Sequence, residues 1–360
     1  MADMTVQTTE VQLLGSLSSN QTSSDDKPMT LFYIIWVYVL PVALLVGIIG
    51  NILSIIVLQS KSFRHTTTGV YLPSTAVADI VFLLTGGLEI LETADIFDVR
   101  EYNIWTCRLY KVLHYTAGDI SIWLVVAFTF DRFVAVCFPL GKLKFSTWKR
   151  AVIASATIVF LSLAKNLHEF WTRGPEYRRN GELRRICGSQ EKYHFFLDYV
   201  RPWLVLVLVM VIPFVLILVF NCSIVAGLVR ANRSRRLSVP SFTTAVVTGS
   251  KPSSSSSSFR QMTFMCLGIS FAFLICVAPS IVLLIGKPYW KHRTNVAYQN
   301  AKAVSNFMVF INHAINFFLY CVTGQRFRHE LKALLTCQTL VSYASGTPTP
   351  RSSQPQIFGS

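Results

Sequence analysis

The fold class this sequence predicts is an all-α membrane protein: a bundle of seven spanning helices, followed by a short amphipathic helix on the cytoplasmic surface. Three observations predict it. The chain is 52% hydrophobic and only 14% charged, against about 25% charged in an ordinary soluble domain. Apolar runs of roughly 20 residues, enough to cross a bilayer as helix, recur along its length. The 33 Lys and Arg, which against 18 Asp and Glu give a formal charge of +15, sit almost entirely in the short links between those runs. There they meet water and lipid headgroups, so the basic balance does not imply a nucleic-acid partner.

Taken in order, residues 1–30 are polar, rich in Ser, Thr and acids, and form an extracellular tail. They lack the apolar core of a cleavable signal peptide, so the first span is expected to direct insertion itself. The membrane domain runs over 31–325, with apolar segments at 31–58, 69–93, 104–137, 149–171, 199–231, 259–286 and 297–321. Backbone groups in lipid have to be satisfied within the segment, so each is read as a helix. An odd number puts the termini on opposite sides. Lys and Arg divide about evenly between the two faces and give no clear orientation. The acids, concentrated on the amino-terminal side, and the glycosylation acceptor at Asn20-Gln21-Thr22 place the amino terminus outside. Between spans five and six, Arg233 to Phe259 carries a Ser253–Ser258 run and reads as a flexible cytoplasmic loop. Residues 326–337 alternate basic residues with Phe327, Leu331, Leu334 and Leu335, the pattern of a helix lying on membrane lipid, with Cys337 placed for palmitoylation. Residues 338–360 are a Ser/Thr/Pro/Gln-rich disordered tail.

Polar residues inside spans are costly and therefore candidates for function. Asn51, Asp79, Ser121, Asn312 and Asn316 lie at similar depth if the helices form one bundle. A lone carboxylate in lipid needs partners. No cofactor is expected beyond an allosteric sodium ion, and two readings stay open: Asp79, Ser121, Asn312 and Asn316 bind that ion, or the set is hydrogen-bonded glue between helices. At the inner end of span three, Asp131 and Arg132 are adjacent, which reads as a breakable restraint on a permanently charged guanidinium. Cys107 and Cys187 lie toward the outer face and are expected to form a disulfide.

Seven sequence features fall in one register: Gly50-Asn51, Leu72 with Ala78-Asp79, Trp105-Thr106-Cys107, Asp131-Arg132-Phe133, Pro213, Phe273 with Cys276 and Pro279, and Asn316 with Tyr320. Their order resembles that of rhodopsin-like G-protein-coupled receptors. The resemblance covers about 31–337 and implies a ligand pocket open to the outside and a sixth helix that swings outward to admit a heterotrimeric G protein. Asp131, Arg132, Phe273, Pro279, Asn316 and Tyr320 are then the switch residues. Several positions depart from the pattern. Val277 replaces a Trp, Phe317 a Pro, Asn221 a Tyr and Phe259 an acid, and span four lacks its usual Trp. Asn316 to Cys321 with Phe327-Arg328, and Asp119 to Trp123, are similar to invertebrate FMRFamide-type neuropeptide receptors.

An amine receptor of this class would carry an Asp where His114 stands, and an opsin a retinal-bearing Lys where Phe310 stands. The candidate ligand-binding residues at the outer ends are Glu89, Glu92, Lys111, His114, Tyr115, Lys165, Arg201, Lys302 and Asn306. Their mixed signs suit an extracellular peptide better than a lipid, although charges in spans also pair simply to fix helices, as Glu89 or Glu92 with Lys111 or Lys302 would. Arg173, Arg178, Arg179, Arg184 and Arg185 make the second outer loop basic, either to steer a ligand or as a solvated run. A non-peptide ligand stays open. A transporter would show internal repeats, and a membrane enzyme a convergent nucleophile or metal set; neither pattern is found. Ser238 behind Arg235-Arg236, and Thr336, Thr339, Ser342, Ser345, Thr347, Thr349, Ser352 and Ser353, offer phosphorylation sites to receptor kinases and docking to arrestin. The expected location is the plasma membrane.

Overall fold

The structure is a computed structural model that describes residues 31–93, 98, 102–138, 146–177, 183–237, 254–286 and 296–336. Asn20, Cys337 and Ser238 lie outside the described residues. Helix α1 begins at Leu31–Ile34, passes through a wide π-type turn at Ile35–Val39 and continues over Leu40–Leu58. Next come α2 (Thr68–Thr93), α3 (Ile104–Cys137) and α4 (Trp148–Asn166). The fifth span, α5, combines Arg201–Val205, Leu206–Val211 and Ile212–Leu237. Helix α6 is Ser254–Gly286, α7 joins Val296–Ala314 to Asn316–Thr323, and α8 is Gln325–Leu335. Among the described residues six helices are long and apolar enough to cross a membrane, seven when the bent pair of α7 counts as one span.

The helices are apolar on nearly every face, so polarity alone does not decide which face turns inward. On α1, Leu40, Leu44, Gly47, Asn51 and Ser54 recur every three or four residues and are buried, whereas Val42, Leu45 and Ile49 face outward. The outward residues sit where lipid tails lie, at no hydrophobic cost. What selects the inner face is close packing of small residues. A Cβ on Gly47 would meet Ala314 at 2.6 Å, one on Gly50 would meet Phe317 at 2.9 Å, and one on Gly86 would meet the Phe310 ring at 2.2 Å. Helix α3 is capped by Asn103, whose side chain accepts from the backbone N–H of Trp105 and Thr106 at 2.9 Å.

One expectation is corrected. The stretch from Arg233 to Phe259 is not loop throughout: α5 continues to Leu237 and α6 starts at Ser254, so Ser254–Ser258 form the first turn of a helix propagated from its apolar part. The second outer loop adds an antiparallel hairpin to the helix bundle, β1 (Arg173–Tyr177) with β2 (Leu183–Ser189). A disulfide between Cys107 and Cys187, with Cα atoms 5.5 Å apart, ties β2 to the top of α3.

The seventh span bends by 54° at Ile315 although Phe317 stands where a proline would explain it. The cause lies in a neighbour. Asn51 Nδ2 donates to the backbone carbonyl of His313 at 2.9 Å, at the point where the helical ladder needs that oxygen. A side chain inserted into the i→i−4 ladder is a recognised origin of a kink.

Candidate functional site

The candidate residues fall at three depths. At the outer end, Glu169 follows α4 in a short turn and is fully buried. Its Oε2 accepts from Arg173 Nε at 2.7 Å, and its Oε1 lies 3.1 Å from Arg201 Nε. The Arg201 guanidinium lies over the Tyr115 ring, 4.4 Å from its centre, and Lys111 lies 5.7 Å from the same ring. One helical turn further in along α3, Asp119 Oδ2 accepts from Lys165 Nζ at 2.7 Å and from Asn166 Nδ2 at 2.6 Å. Four predicted residues, Lys111, Tyr115, Lys165 and Arg201, thus come together among α3, α4 and α5. The acids that organise them, Asp119 and Glu169, and their companions Asn166 and Arg173 were not among the predicted site residues. Arg173 is paired and partly buried, not part of a solvated basic run.

The other candidates lie elsewhere. His114 turns toward α2, where its Nδ1 lies 2.9 Å from Thr85 Oγ1 and its ring stacks on Phe82 at 4.5 Å. Lys302 and Asn306 are half-buried on α7. Glu89 and Glu92 lie on the outer end of α2, and their side chains are outside the described residues. An apolar crevice of about 640 Å³ lies between α6 and α7, lined by Ile275, Val282 and Val304 among others. It holds no charged side chain and is distinct from the charged cluster.

At mid-depth Asp79 is completely buried. Its Oδ1 accepts from Ser121 Oγ at 2.6 Å and lies 2.7 Å from His313 Nδ1, and its Oδ2 accepts from Asn316 Nδ2 at 2.7 Å. Ser121 and Asn316 therefore meet Asp79 as the sequence suggested. Asn312 is buried beside them, but the third partner is His313. This set does not fit a sodium ion. A hard cation needs several free oxygens, whereas three of the roughly four acceptor sites of this carboxylate are occupied, one of them by an imidazole nitrogen.

At the inner end Asp131 and Arg132 are both buried. Arg132 Nε donates to Asp131 Oδ2 at 3.1 Å, and its Nη2 also contacts that oxygen. Thr67 closes the group: its hydroxyl donates to Asp131 Oδ2 at 2.9 Å and accepts from Arg132 Nη2 at 2.6 Å. Thr67 was missed in sequence; its signal was a hydroxyl among Thr66-Thr67-Thr68 at the inner start of α2. Thr129 and Ser270, 3.0 Å apart, link α3 to α6 one turn deeper. Phe273 is buried in the central core below Pro279 on α6. Tyr320 is buried against Phe327 of α8, with ring centres 5.5 Å apart.

Seven spans, the bent α7 counted as one, with charged groups gathered at both ends and a polar girdle between them, make a multi-pass membrane bundle. The chain belongs to the 7 transmembrane receptor (rhodopsin family), whose sequence profile matches residues 50–320. It is similar to the FMRFamide receptor of Drosophila melanogaster, 25% identical over 301 residues, 78% of this chain and 50% of that protein. The chain thus spans about half the length of that relative. It is also similar to the Allatostatin-A receptor of Bombyx mori, 22% identical over 295 residues, 81% of this chain and 77% of that one. The thyrotropin-releasing hormone receptor of Mus musculus is 33% identical over 105 residues, 29% of this chain and 26% of that receptor.

Proposed function

We propose that this chain is a plasma-membrane receptor, amino terminus outside, that is activated by an extracellular neuropeptide and signals to a heterotrimeric G protein. The observation that carries the coupling half is the buried Asp131–Arg132–Thr67 group at the inner end of α3. A permanently charged guanidinium held there by one adjacent carboxylate and one hydroxyl can be released toward a cytoplasmic partner without dismantling the bundle. The ligand half is supported by the outer cluster. Lys165, Arg173 and Arg201 face the described acids Asp119 and Glu169, and Lys111 lies beside the Tyr115 ring, a donor-rich wall suited to the carbonyl and carboxylate groups of a peptide. The relatives named for peptides point the same way. Membrane lipid at α8 and Cys337, glycosylation of Asn20, and receptor kinases with arrestin acting on the Ser/Thr sites belong to the same reading.

The test is a panel of amidated neuropeptides applied to cells expressing the full chain, with G-protein activation and surface binding read in parallel. One peptide should activate the intact receptor. Arg132→Ala should then abolish at least nine-tenths of G-protein activation while binding changes less than about threefold, since the outer cluster lies at the other end of α3. Full agonist response from Arg132→Ala at matched surface expression would remove the proposed role. Solute flux without G-protein activation would remove the receptor reading.

A further inference from the structure

The mid-bundle site has the makings of a cation pocket except for one side chain. Asp79 and His313 are both buried to within 1% exposure, and they face each other at 2.7 Å. Neighbours on α1 and α2 hold His313 in place as well. Its backbone carbonyl is held by Asn51 of α1 at 2.9 Å, and the Phe82 ring of α2 lies over it with centres 4.0 Å apart. Ser121 of α3 shares the same carboxylate oxygen, and Asn316 takes the other. Against an ionised carboxylate Nδ1 has to carry its hydrogen, whether or not Nε2 does. With Asp79 ionised, an N–H donor points at Oδ1 in either form of the ring.

We propose that His313 stands in for a metal ion in this receptor: its Nδ1–H neutralises one face of Asp79 as a bound cation would, and it leaves the site unresponsive to sodium. The geometry supplies two reasons. A cation approaching Oδ1 meets the positive end of an N–H dipole at a position it would have to occupy. The ring also fills the volume its hydration oxygens would need, in a place closed by Phe82 and the α1–α7 contact. Shortening the side chain reverses both. His313→Ser removes the ring, adds a hydroxyl oxygen, and leaves the oxygens of Asp79 and Ser121 that already face that position. That set of oxygens suits a hard monovalent cation. The side chain at position 313 thus decides whether this girdle holds a proton-bearing group or a metal ion.

The experiment uses the full-length purified receptor, with sodium ions as the probe and no agonist or G protein, so its outcome is separate from that of the ligand reading. Thermal unfolding is followed in sodium chloride and in potassium chloride at equal ionic strength. The intact receptor should give the same midpoint in both salts, and Asp79→Asn should lower that midpoint equally in both. His313→Ser should gain a saturable sodium-specific rise of about 2 °C or more, lost in the double variant with Asp79→Asn. A saturable sodium-specific rise in the intact receptor that Asp79→Asn abolishes overturns the proposal. A folded His313→Ser receptor no more responsive to sodium than the intact one overturns it as well. Should His313→Ser not fold, the intact receptor and Asp79→Asn decide the matter alone: a sodium-specific rise against it, equal midpoints for it.

Discussion

The two ends of α3 both bury charge, but they do so differently. At the outer end, Asp119 and Glu169 draw cations from α4, from the start of β1 and from α5, so one cluster staples three separate parts of the chain. At the inner end, Asp131 holds its own sequence neighbour, Arg132, with Thr67 as the hydrogen-bonded link to α2. Removing an acid from the first arrangement frees cations that hold helices together. Removing it from the second frees a single side chain and leaves the helix contacts in place. The outer cluster is built to keep its shape, and the inner one to change.

The largest effect should therefore come from the outer end. Glu169→Gln keeps the volume of a fully buried side chain but leaves Arg173 and Arg201 facing a neutral amide. Breaking a buried ion pair by removing one partner costs about 3–5 kcal/mol. The expected outcome is a marked fall in thermal midpoint and in surface expression, with little rise in basal signalling of the receptor that remains. If Glu169→Gln is as stable as the intact receptor, the outer cluster is not a staple and the contrast with the inner end collapses.

Asp131→Asn should do the opposite. Thr67 still accepts from Arg132 Nη2, so the restraint weakens by roughly 1–2 kcal/mol, not the full cost of an orphaned charge. That is enough to raise a minor signalling population several-fold. Ligand-independent G-protein activation should rise at matched expression, while the thermal midpoint moves less than it does in Glu169→Gln. Thr67→Val should produce a smaller rise in the same assay. A fall in basal activity in both variants would assign the group to support, not restraint.

This contrast also explains what sequence could and could not reveal. The spans were legible because lipid imposes a hydropathy signal that no tertiary contact overrides, and α3 begins and ends at Ile104 and Cys137 as its apolar run does. Asp131 and Arg132 were legible because they are consecutive. Asp119 and Glu169 were not marked as site residues, since their importance comes from Lys165, Arg173 and Arg201, which only the packing of α3, α4 and α5 brings within 3.1 Å or less of them. His114 and Tyr115 are neighbours in sequence, yet they face different partners, Thr85 on α2 and Arg201 on α5. A helix turns by about 100° per residue, and in a bundle apolar all round no polarity stripe tells which of the two points at a ligand. The bend at Ile315 escaped for a related reason, because it depends on an amide reaching across from α1.

The smallest expected effect sharpens the contrast most directly, because it concerns a polar group at the inner end with nothing to hold. Asn221 on α5 is 1% exposed, and neither its amide nitrogen nor its amide oxygen has a hydrogen-bond partner among the described residues. It lies next to Phe220, whose ring stacks on Phe133 of α3 at 5.2 Å, and between the buried Ile217 and Ile224 one turn to either side. A buried amide left unsatisfied costs about 1–3 kcal/mol, and an apolar group of similar shape removes that cost. Asn221→Leu should therefore leave the receptor no less stable, and up to about 1 kcal/mol more so, which corresponds to a midpoint higher by roughly 2–4 °C. Basal signalling separates two origins of the gain. If the amide pairs in the signalling arrangement of α3 and α5, the leucine removes a contact that only this arrangement makes, so basal and agonist-driven activity both fall while the midpoint rises. If the amide is unpaired throughout, the midpoint rises and signalling is unchanged. A midpoint lowered by more than roughly 2–4 °C, about 1 kcal/mol, in Asn221→Leu would mean that Asn221 is already hydrogen-bonded at rest. The inner end would then be as fully paired as the outer one, and the division between a stapled end and a poised end would no longer hold.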